Sequence, residues 1–519
     1  MNLVIVGGGT AGWITALLAA KRHPNHKVTV IESSKLGVVG VGESTTGKFT
    51  DILFNIYYDL GCDVNEFIAE TGATIKLGIT HKGWTNNIDQ YYVGPIDGSW
   101  THESSPDPLF CWGLNNLDYS KLVTIAKCGF LNYHGMSTFN KRTMSFLEPR
   151  YAMHVDAFLV GQYFKKLCLR TNNCTYIDDE VVDVHLNSLT GNIESLTLKN
   201  NSSVEGDMFI DCSGFNKILM NKLGAKWVSY LGNLPLNSAI PFWLDYEKDE
   251  DPAITTMAWA QKNGWMWQIP LMDRKGCGYV FCDAYTTPDK AQEEIETILG
   301  KKIEVRKHIK FNSGRQESAW IKNCVAIGLS SAFLEPLEAT SIHSSIVQAY
   351  SFIFEYLKPT VEATLNDGSR NNYNRRTRKL YDDIKDFLVL HYMGGRDDSE
   401  FWKYIKTGVT QTDFVKDLLE MAKHKVPSSQ DFPTYAGSAG WPLYSYIMAG
   451  LHLINKDAAE NELKLDLPGY GPLKPITART YYDLQDQWTI ESKNLFTYKE
   501  FIQYFREIRY QSGISDKKY

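Results

Sequence analysis

The stretch Leu3-Val4-Ile5-Val6-Gly7-Gly8-Gly9-Thr10-Ala11-Gly12 decides the fold. Four apolar residues, two of them valine, predict a buried parallel strand. They run into Gly7-x-Gly9-x-x-Gly12, and an Ala/Leu-rich helix follows, from Ala11 to about Lys21, ending before Pro24. A second strand, Val28-Thr29-Val30-Ile31, closes on Glu32, 20 residues after Gly12. That is the spacing of a carboxylate that hydrogen-bonds a ribose. The glycines make the tight turn, let backbone approach a pyrophosphate and allow close helix–strand packing, with the helix N-terminus facing the anion. A lone GxGxxG is weak; one with its strand, helix, second strand and acid in order predicts dinucleotide binding.

The 519-residue chain is long enough for two or three cores. Its net charge of −6 points to neither nucleic acid nor an anionic membrane. No apolar run reaches membrane-spanning length. A nucleotide-binding strand at residue 3 leaves no room for a cleavable leader, so a cytoplasmic location is expected. The nine cysteines are scattered without a CxxC or a metal-ligand cluster and read as reduced packing residues, with no metal expected. Aromatics make up 13% of residues, a proportion that fits generous core packing or a pocket for a flat substrate.

Outward from the first unit, Val38-Val39-Gly40-Val41-Gly42-Glu43-Ser44-Thr45 reads as a surface turn or a second loop along the cofactor. Ala73-Thr74-Ile75-Lys76-Leu77-Gly78-Ile79 reads as one strand with a single cation, which points to solvent or into a site. Residues 84–150 show no period and read as loops and short elements. Tyr151-Ala-Met-His154-Val-Asp156 opens a helix running to about Leu169, and residues 181–198 form a hairpin around Gly191. Met208 to Gly214 and Cys324 to Gly328 are buried strands ending at glycines, the kind that crowd a bound nucleotide. The nucleotide domain is therefore discontinuous, with a strand-rich insertion carrying Gly264-Trp265-Met266-Trp267-Gln268-Ile269-Pro270. Two tryptophans two apart share one strand face. Phe333-Leu-Glu335-Pro336-Leu-Glu338-Ala339-Thr340-Ser341 leads into a helix with apolar Ile342, Ile346, Ala349 and Ile353. Thr340 and Ser341 thus sit at a helix N-terminus, which attracts anions, and Glu338 lies just outside it, as a cap or a site acid. Beyond about 360 the chain turns helical, with Leu380, Ile384, Phe387, Leu388 and His391 on one face. The cluster Arg375, Arg376, Arg378 and Lys379 reads as a solvated helix face.

Taken together these stretches resemble the flavin-dependent tryptophan halogenase family. Its two signatures are GxGxxG, here Gly7 to Gly12, and WxWxIP, here Trp265 to Pro270. Gly40-Val-Gly42-Glu43, the strand around Lys76, His154-Val-Asp156-Ala, Phe209 to Phe215, Phe333-x-x-Pro336-Leu-Glu338 and Leu390-His391-Tyr392 agree as well. The resemblance is strongest before 360 and thin after about 410. It implies an α/β fold: a doubly wound FAD domain with an inserted β-sheet and a mostly helical C-terminal substrate region. The expected boundaries are 1–85, 176–215 and 316–358 for the FAD domain, 86–175 for substrate-facing loops and helix, 216–315 for the inserted sheet and 359–519 for the helical region.

The resemblance also implies a two-site reaction. Reduced FAD from a separate flavin reductase reacts with dioxygen, and a halide held near Thr340 and Ser341 is oxidised to hypohalous acid. That electrophile reaches Lys76, which positions it by hydrogen bond or as a haloamine. Glu338 activates it or takes the proton from the halogenated ring. FAD contacts are expected from Gly7, Gly8, Gly9, Thr10, Ala11, Gly12, Trp13, Glu32, Ser34, Gly42, Glu43, Leu329, Thr340, Ser341 and Ile342. The WxWxIP motif is associated with keeping the flavin from hydroxylating. Two departures stand out. Ala339 and Ser341 replace the family's usual serine and glycine, an exchange expected to favour bromide or iodide over chloride. Tyr91-Tyr92-Val93-Gly94-Pro95 lies where indole-binding members carry a His and a Phe, so an electron-rich arene other than free tryptophan is expected. An aromatic hydroxylase and a flavin-binding protein without catalysis are the competing readings. Oligomeric state stays open, a homodimer included.

Overall fold

The computed structural model describes residues 1–35, 42–55, 59–97, 107–147, 151–432, 441–467 and 471–513. The chain divides into two compact units. One comprises Met1–Gly72, Val155–Leu231 and Asn312–Asp382; the other comprises Ala73–His154, Gly232–Phe311 and Asp383–Tyr519.

The first unit is built on a six-stranded sheet in the order Cys174–Asp178, Lys27–Glu32, Asn2–Val6, Met208–Asp211, Cys324–Ala326 and Trp320–Ile321. Every pair is parallel except the last. Leu3, Val4, Ile5 and Val6 are all buried, because both sheet faces are covered. On one face Val4, Val6 and Phe209 pack against Val184, Leu196, Leu198, Leu219 and Met220. Helix Thr10–Arg22 packs against helices Ala157–Leu169 and Thr340–Ser351. Each fully buried aliphatic side chain of this kind contributes roughly 1.5–3 kcal/mol. The strand order reverses at Asn2–Val6, so the crevice of a doubly wound sheet opens at that strand's carboxyl end, where the glycines lie.

The second unit holds a seven-stranded sheet in the order Ile309–Lys310, Ser238–Leu244, Lys275–Phe281, Gly264–Pro270, Thr255–Gln261, Gly78–Lys82 and Tyr91–Pro95. Neighbours are antiparallel except Thr255–Gln261 with Gly78–Lys82. Helix Pro288–Leu299 covers one face through Ala291 and Ile295, which join Ile240, Phe242, Met266, Tyr279 and Phe281 in one core. The C-terminal part is helical, through Glu400–Gly408, Asp413–Met421, Trp441–Gly450, Lys456–Leu463, Leu473–Ser492 and Tyr498–Gln511.

Two local expectations are corrected. The run Ala73 to Ile79 is two strands, Thr74–Lys76 and Gly78–Lys82, in different sheets. The break comes at Leu77, whose N–H donates to the Ile254 carbonyl and whose carbonyl accepts from Ile96 N–H. A Cβ on Gly78 would lie 2.8 Å from the Gly94 carbonyl oxygen, so the second strand needs glycine to pair so closely. The segment opening at Tyr151 is first a strand, Ala152–Val155; the helix is Ala157–Leu169, capped by the Asp156 carboxylate at Phe158 and Leu159 N–H. The stretch 84–150 holds short elements, as expected: helices Pro108–Asn116 and Lys127–Tyr133 and strands Tyr91–Pro95 and Met136–Asn140. Their apolar residues pack on elements hundreds of positions away, and no local period records that.

Candidate active site

The glycine loop is shaped by what each glycine excludes. A Cβ on Gly7, which has φ 111°, would lie 2.1 Å from the Cys212 carbonyl oxygen; on Gly8, 2.1 Å from the Glu32 carboxyl; on Gly12, 1.9 Å from the Gly7 carbonyl oxygen. A Cβ on Gly9 would meet nothing within 4 Å. Gly9 is also the N-cap of helix Thr10–Arg22, and no side chain caps that end. Backbone amides therefore begin a helix in front of open space, a fit for an anionic pyrophosphate. Thr10 Oγ1 donates to the Ala157 carbonyl at 3.0 Å, fixing the loop on the neighbouring helix. Trp13 is fully buried beside Tyr176, ring centroids 5.8 Å apart.

Glu32 closes its strand at the expected place and pairs with Lys165 at 3.0 Å, a partner that sequence spacing did not suggest. The Ser34 N–H donates to Asp178. Of the expected second loop, Val38, Val39, Gly40 and Val41 lie outside the described residues. Glu43 is described, and burial, with the nearby charge of Asp156 adding to it, pushes its carboxyl up to about 7. Leu329 belongs to the turn Gly328–Ser330, where a Cβ on Gly328 would lie 2.8 Å from Ala11 Cβ.

Asp211, the last residue of strand Met208–Asp211, organises the adjoining turn. One oxygen accepts from Ser213 N–H, Ser213 Oγ and Ser330 Oγ at 3.0, 2.6 and 2.9 Å; the other accepts from Leu219 and Met220 N–H, both at 2.9 Å. Its fully buried carboxylate is thereby satisfied at five donors.

Glu338 ends the 3-10 turn Pro336–Glu338, immediately before helix Thr340–Ser351. Between them Ala339 is left-handed, at φ 59° and ψ 31°. That conformation costs a non-glycine residue roughly 1–2 kcal/mol. As the N-cap residue, alanine offers no side-chain acceptor, so the helix starts without a side-chain cap. Thr340 is buried, and its hydroxyl has no hydrogen-bond partner among the described residues. Bare N-terminal amides beside an unpartnered buried hydroxyl suit a small anion. Ser341 is half-buried and Ile342 buried. Thr46 Oγ1 meets His343 Nδ1 at 2.7 Å on the same helix.

In the second unit Lys76 is 1% exposed. Thr74 and Lys76 share one strand face, and His154 is paired across from Thr74. Thr74 Oγ1 gives its proton to the Pro270 carbonyl at 2.5 Å, so at 3.0 Å it accepts from His154 Nδ1–H. Nε2, 2.9 Å from Thr256 Oγ1, is then the acceptor, and the imidazole is neutral. Burial first, and the Lys76 charge second, hold the His154 pKa well below its usual value. The last residue of WxWxIP thus anchors the lysine strand through its carbonyl.

Trp265 and Trp267 lie on one strand face with centroids 6.2 Å apart; a Cβ on Gly278 would sit 2.2 Å from the Trp267 ring. Around them the structure gathers His81, Trp84 and Trp402, which the sequence reading did not name, with Tyr92 and His391, which it did. His81, wholly buried, stacks on Tyr92 at 4.7 Å and 12°, and lies 5.1 Å from the His391 ring. Trp84 lies 6.5 Å from Trp265 and 6.0 Å from Trp402. The usable signal was parity: in Gly78–Lys82, His81 shares the buried face of Ile79.

A doubly wound sheet with a glycine loop and a ribose-type acid, joined to a separate antiparallel sheet carrying WxWxIP, belongs to an FAD-dependent oxidoreductase. The sequence matches the tryptophan halogenase family over residues 2–462. It is 33% identical over 478 residues to 7-chloro-L-tryptophan 6-halogenase from Kutzneria sp. (strain 744), covering 86% of this chain and 89% of that one. The fold is similar to the tryptophan halogenase of Shewanella frigidimarina, with a TM-score of 0.86, 27% identity and 98% of each chain covered. It is also similar to a flavin-dependent halogenase from Brevundimonas sp., with a TM-score of 0.81, 26% identity and 97% and 99% covered. This chain belongs to the tryptophan halogenase family and is an FAD-dependent halogenase. Among the described residues no helix is long and apolar enough to cross a membrane.

Proposed function

We propose that this enzyme halogenates an electron-rich aromatic small molecule other than free tryptophan, with Lys76 and Glu338 as its acting side chains. Gly7 to Trp13, Glu32, Ser34, Gly42, Glu43, Leu329 and Thr340 to Ile342 would hold FAD, whose reduced form comes from a separate flavin reductase. When bound, reduced FAD supplies the activation of dioxygen that oxidises halide to hypohalous acid. Every other step falls to the chain. The N–H groups of Thr340 and Ser341, beside the Thr340 hydroxyl, hold the halide.

Lys76, as its ammonium, hydrogen-bonds the oxygen of hypohalous acid and passes it a proton as the ring attacks the halogen. The O–halogen bond breaks, the oxygen leaves as water, and the lysine amine later regains a proton from solvent. Glu338 accepts the proton that the ring loses. The observation that carries this reading is the 1% exposure of Lys76. A strand lysine is ordinarily solvated, and burying one costs several kcal/mol unless something uses it. Relatives named as tryptophan halogenases support an arene of that kind as the substrate. Tyr92, covering a face of His81, supports a substrate other than the free amino acid.

The test supplies a flavin reductase, FAD and each halide with a panel of phenols and indoles, with products read by mass. Halogenated product is expected, bromide or iodide ahead of chloride. Oxygenated product alone would mean a hydroxylase. Bound FAD with no halide-dependent turnover would mean a flavin carrier.

A further inference from the structure

We infer that Cys168 and Cys174 form an oxidative modification site, a buried dithiol that hydrogen peroxide converts to a disulfide between the last turn of helix Ala157–Leu169 and the first residue of strand Cys174–Asp178. Their sulfurs are 2.6 Å apart, with the Cys168 S–H donating to Cys174. An S–S bond is about 2.05 Å long, so closing the bridge asks for only a small side-chain movement. Cys168 is fully buried and Cys174 is 8% exposed, so Cys174 is the sulfur that a small oxidant reaches. The hydrogen bond it receives also favours its thiolate, the reactive form.

The oxidant is of the kind this chemistry leaves behind, since reduced flavin that meets dioxygen without completing its reaction yields peroxide. In the first step the Cys174 thiolate attacks one peroxide oxygen. The O–O bond breaks, hydroxide leaves and takes the proton from Cys168, and a sulfenic acid remains on Cys174. In the second step the Cys168 thiolate attacks that sulfur. The S–S bond forms, the S–O bond breaks, and the departing hydroxide ends as water once protonated. Two thiols and one peroxide thus give one disulfide and two waters.

The site is placed where a crosslink bears on the flavin loop. On the helix Lys165 pairs with Glu32, and the backbone at Gly161 faces the loop: a Cβ there would lie 3.8 Å from Thr10 N. The strand runs beside Lys27–Glu32 with Asp178 opposite Glu32. Cys62, half-buried, has its thiol pushed up to about 12 by burial.

Trypsin cleaves at Lys166, Arg170 and Lys199, so the two cysteines leave on separate peptides, 167–170 and 171–199. The FAD-loaded enzyme is treated with hydrogen peroxide, denatured, alkylated with iodoacetamide and digested. The expected product is one linked mass, two hydrogens below the sum of the two peptides and split by dithiothreitol, with the other seven cysteines alkylated. In Cys174→Ser the linked mass should vanish while Cys168 joins no other cysteine. Recovering both peptides singly from the wild type, alkylated or as sulfinic acids, overturns the proposal; so does oxidation of Cys62 or Cys212 ahead of the pair.

Discussion

In the first unit the candidate site is written in backbone: glycines that admit no Cβ, helix ends with bare amides, and one acid at a strand end. In the second it is written in side chains: a buried lysine, a neutral histidine wired to two threonines, and rings from strands and helices hundreds of residues apart. A backbone site tolerates almost no change of residue at its tight points. A side-chain site tolerates change around it but not at the reacting atoms. The two should therefore fail differently when mutated.

The largest effect tests the backbone half against itself. Gly12→Ala puts a methyl 1.9 Å from the Gly7 carbonyl oxygen and is expected to abolish FAD binding and lower the unfolding temperature sharply. Gly9→Ala meets no protein atom within 4 Å. It should leave circular dichroism and unfolding unchanged yet weaken FAD binding by about tenfold or more, about 1.4 kcal/mol. Equal damage to the fold by both would show that the space before Gly9 is not a ligand's.

The side-chain half is expected to separate chemistry from cofactor binding. Lys76→Ala should cut halogenation by about 10²-fold or more while FAD binding and reduced-flavin oxidation persist. Glu338→Gln should lower turnover by less, because hypohalous acid is reactive once positioned. Assays of product, bound flavin and oxygen uptake on the same preparations decide it. A Lys76→Ala enzyme with more than about a tenth of wild-type turnover would remove the lysine from the mechanism.

The same contrast governs what the sequence discloses. The first unit's fold was legible because a strand, a GxGxxG turn, a helix and an acid occur within 32 residues, and covalent spacing fixes their geometry. Glu32, Glu338, Thr340 and Ser341 stand where spacing put them. Lys165 did not show, because a helix residue 133 positions from Glu32 meets it only through packing. Lys76 gave an ambiguous signal by itself, since one cation in an apolar strand has two readings and only the family resemblance chose between them. His81 escaped, and its stacking on Tyr92 with it, because that pairing depends on how two strands register, which turn and sheet geometry set rather than local pattern. The left-handed Ala339 was invisible too, for glycine and asparagine, not alanine, are the residues that mark such a turn.

The units should also differ in pH dependence. His154 has its folded pKa depressed, so the unfolded chain binds the extra proton. Its contribution to stability is present above about 6.5, the unfolded value, and is lost as pH falls below it. Glu43 is the reverse: with a folded value of about 7, its contribution is whole below the ordinary carboxyl range and is lost as pH rises through 7. Unfolding temperatures from pH 5 to 8 should show His154→Gln flattening the acid side relative to wild type, and Glu43→Gln the neutral side. Parallel curves for either variant would mean that the group titrates alike in both states.

The smallest effect concerns the one place where the backbone half is written without glycine. Ala339 holds a left-handed conformation, at a cost of roughly 1–2 kcal/mol that glycine would not bear. Against that, Ala339 is buried, and deleting its methyl forfeits about 0.8 kcal/mol, while glycine adds chain entropy in the unfolded state of roughly 0.5–1 kcal/mol. These terms nearly cancel. Ala339→Gly is therefore expected to change unfolding free energy by less than about 1 kcal/mol, where a methyl deletion from an ordinary buried helical position would destabilise by more. The helix start keeps its bare amides either way, so halide preference should hold, measured by competition between chloride and bromide at equal concentration. A large loss of stability would place Ala339 in an ordinary right-handed turn. A switch in halide preference at unchanged stability would mean that the methyl itself shapes the anion's pocket.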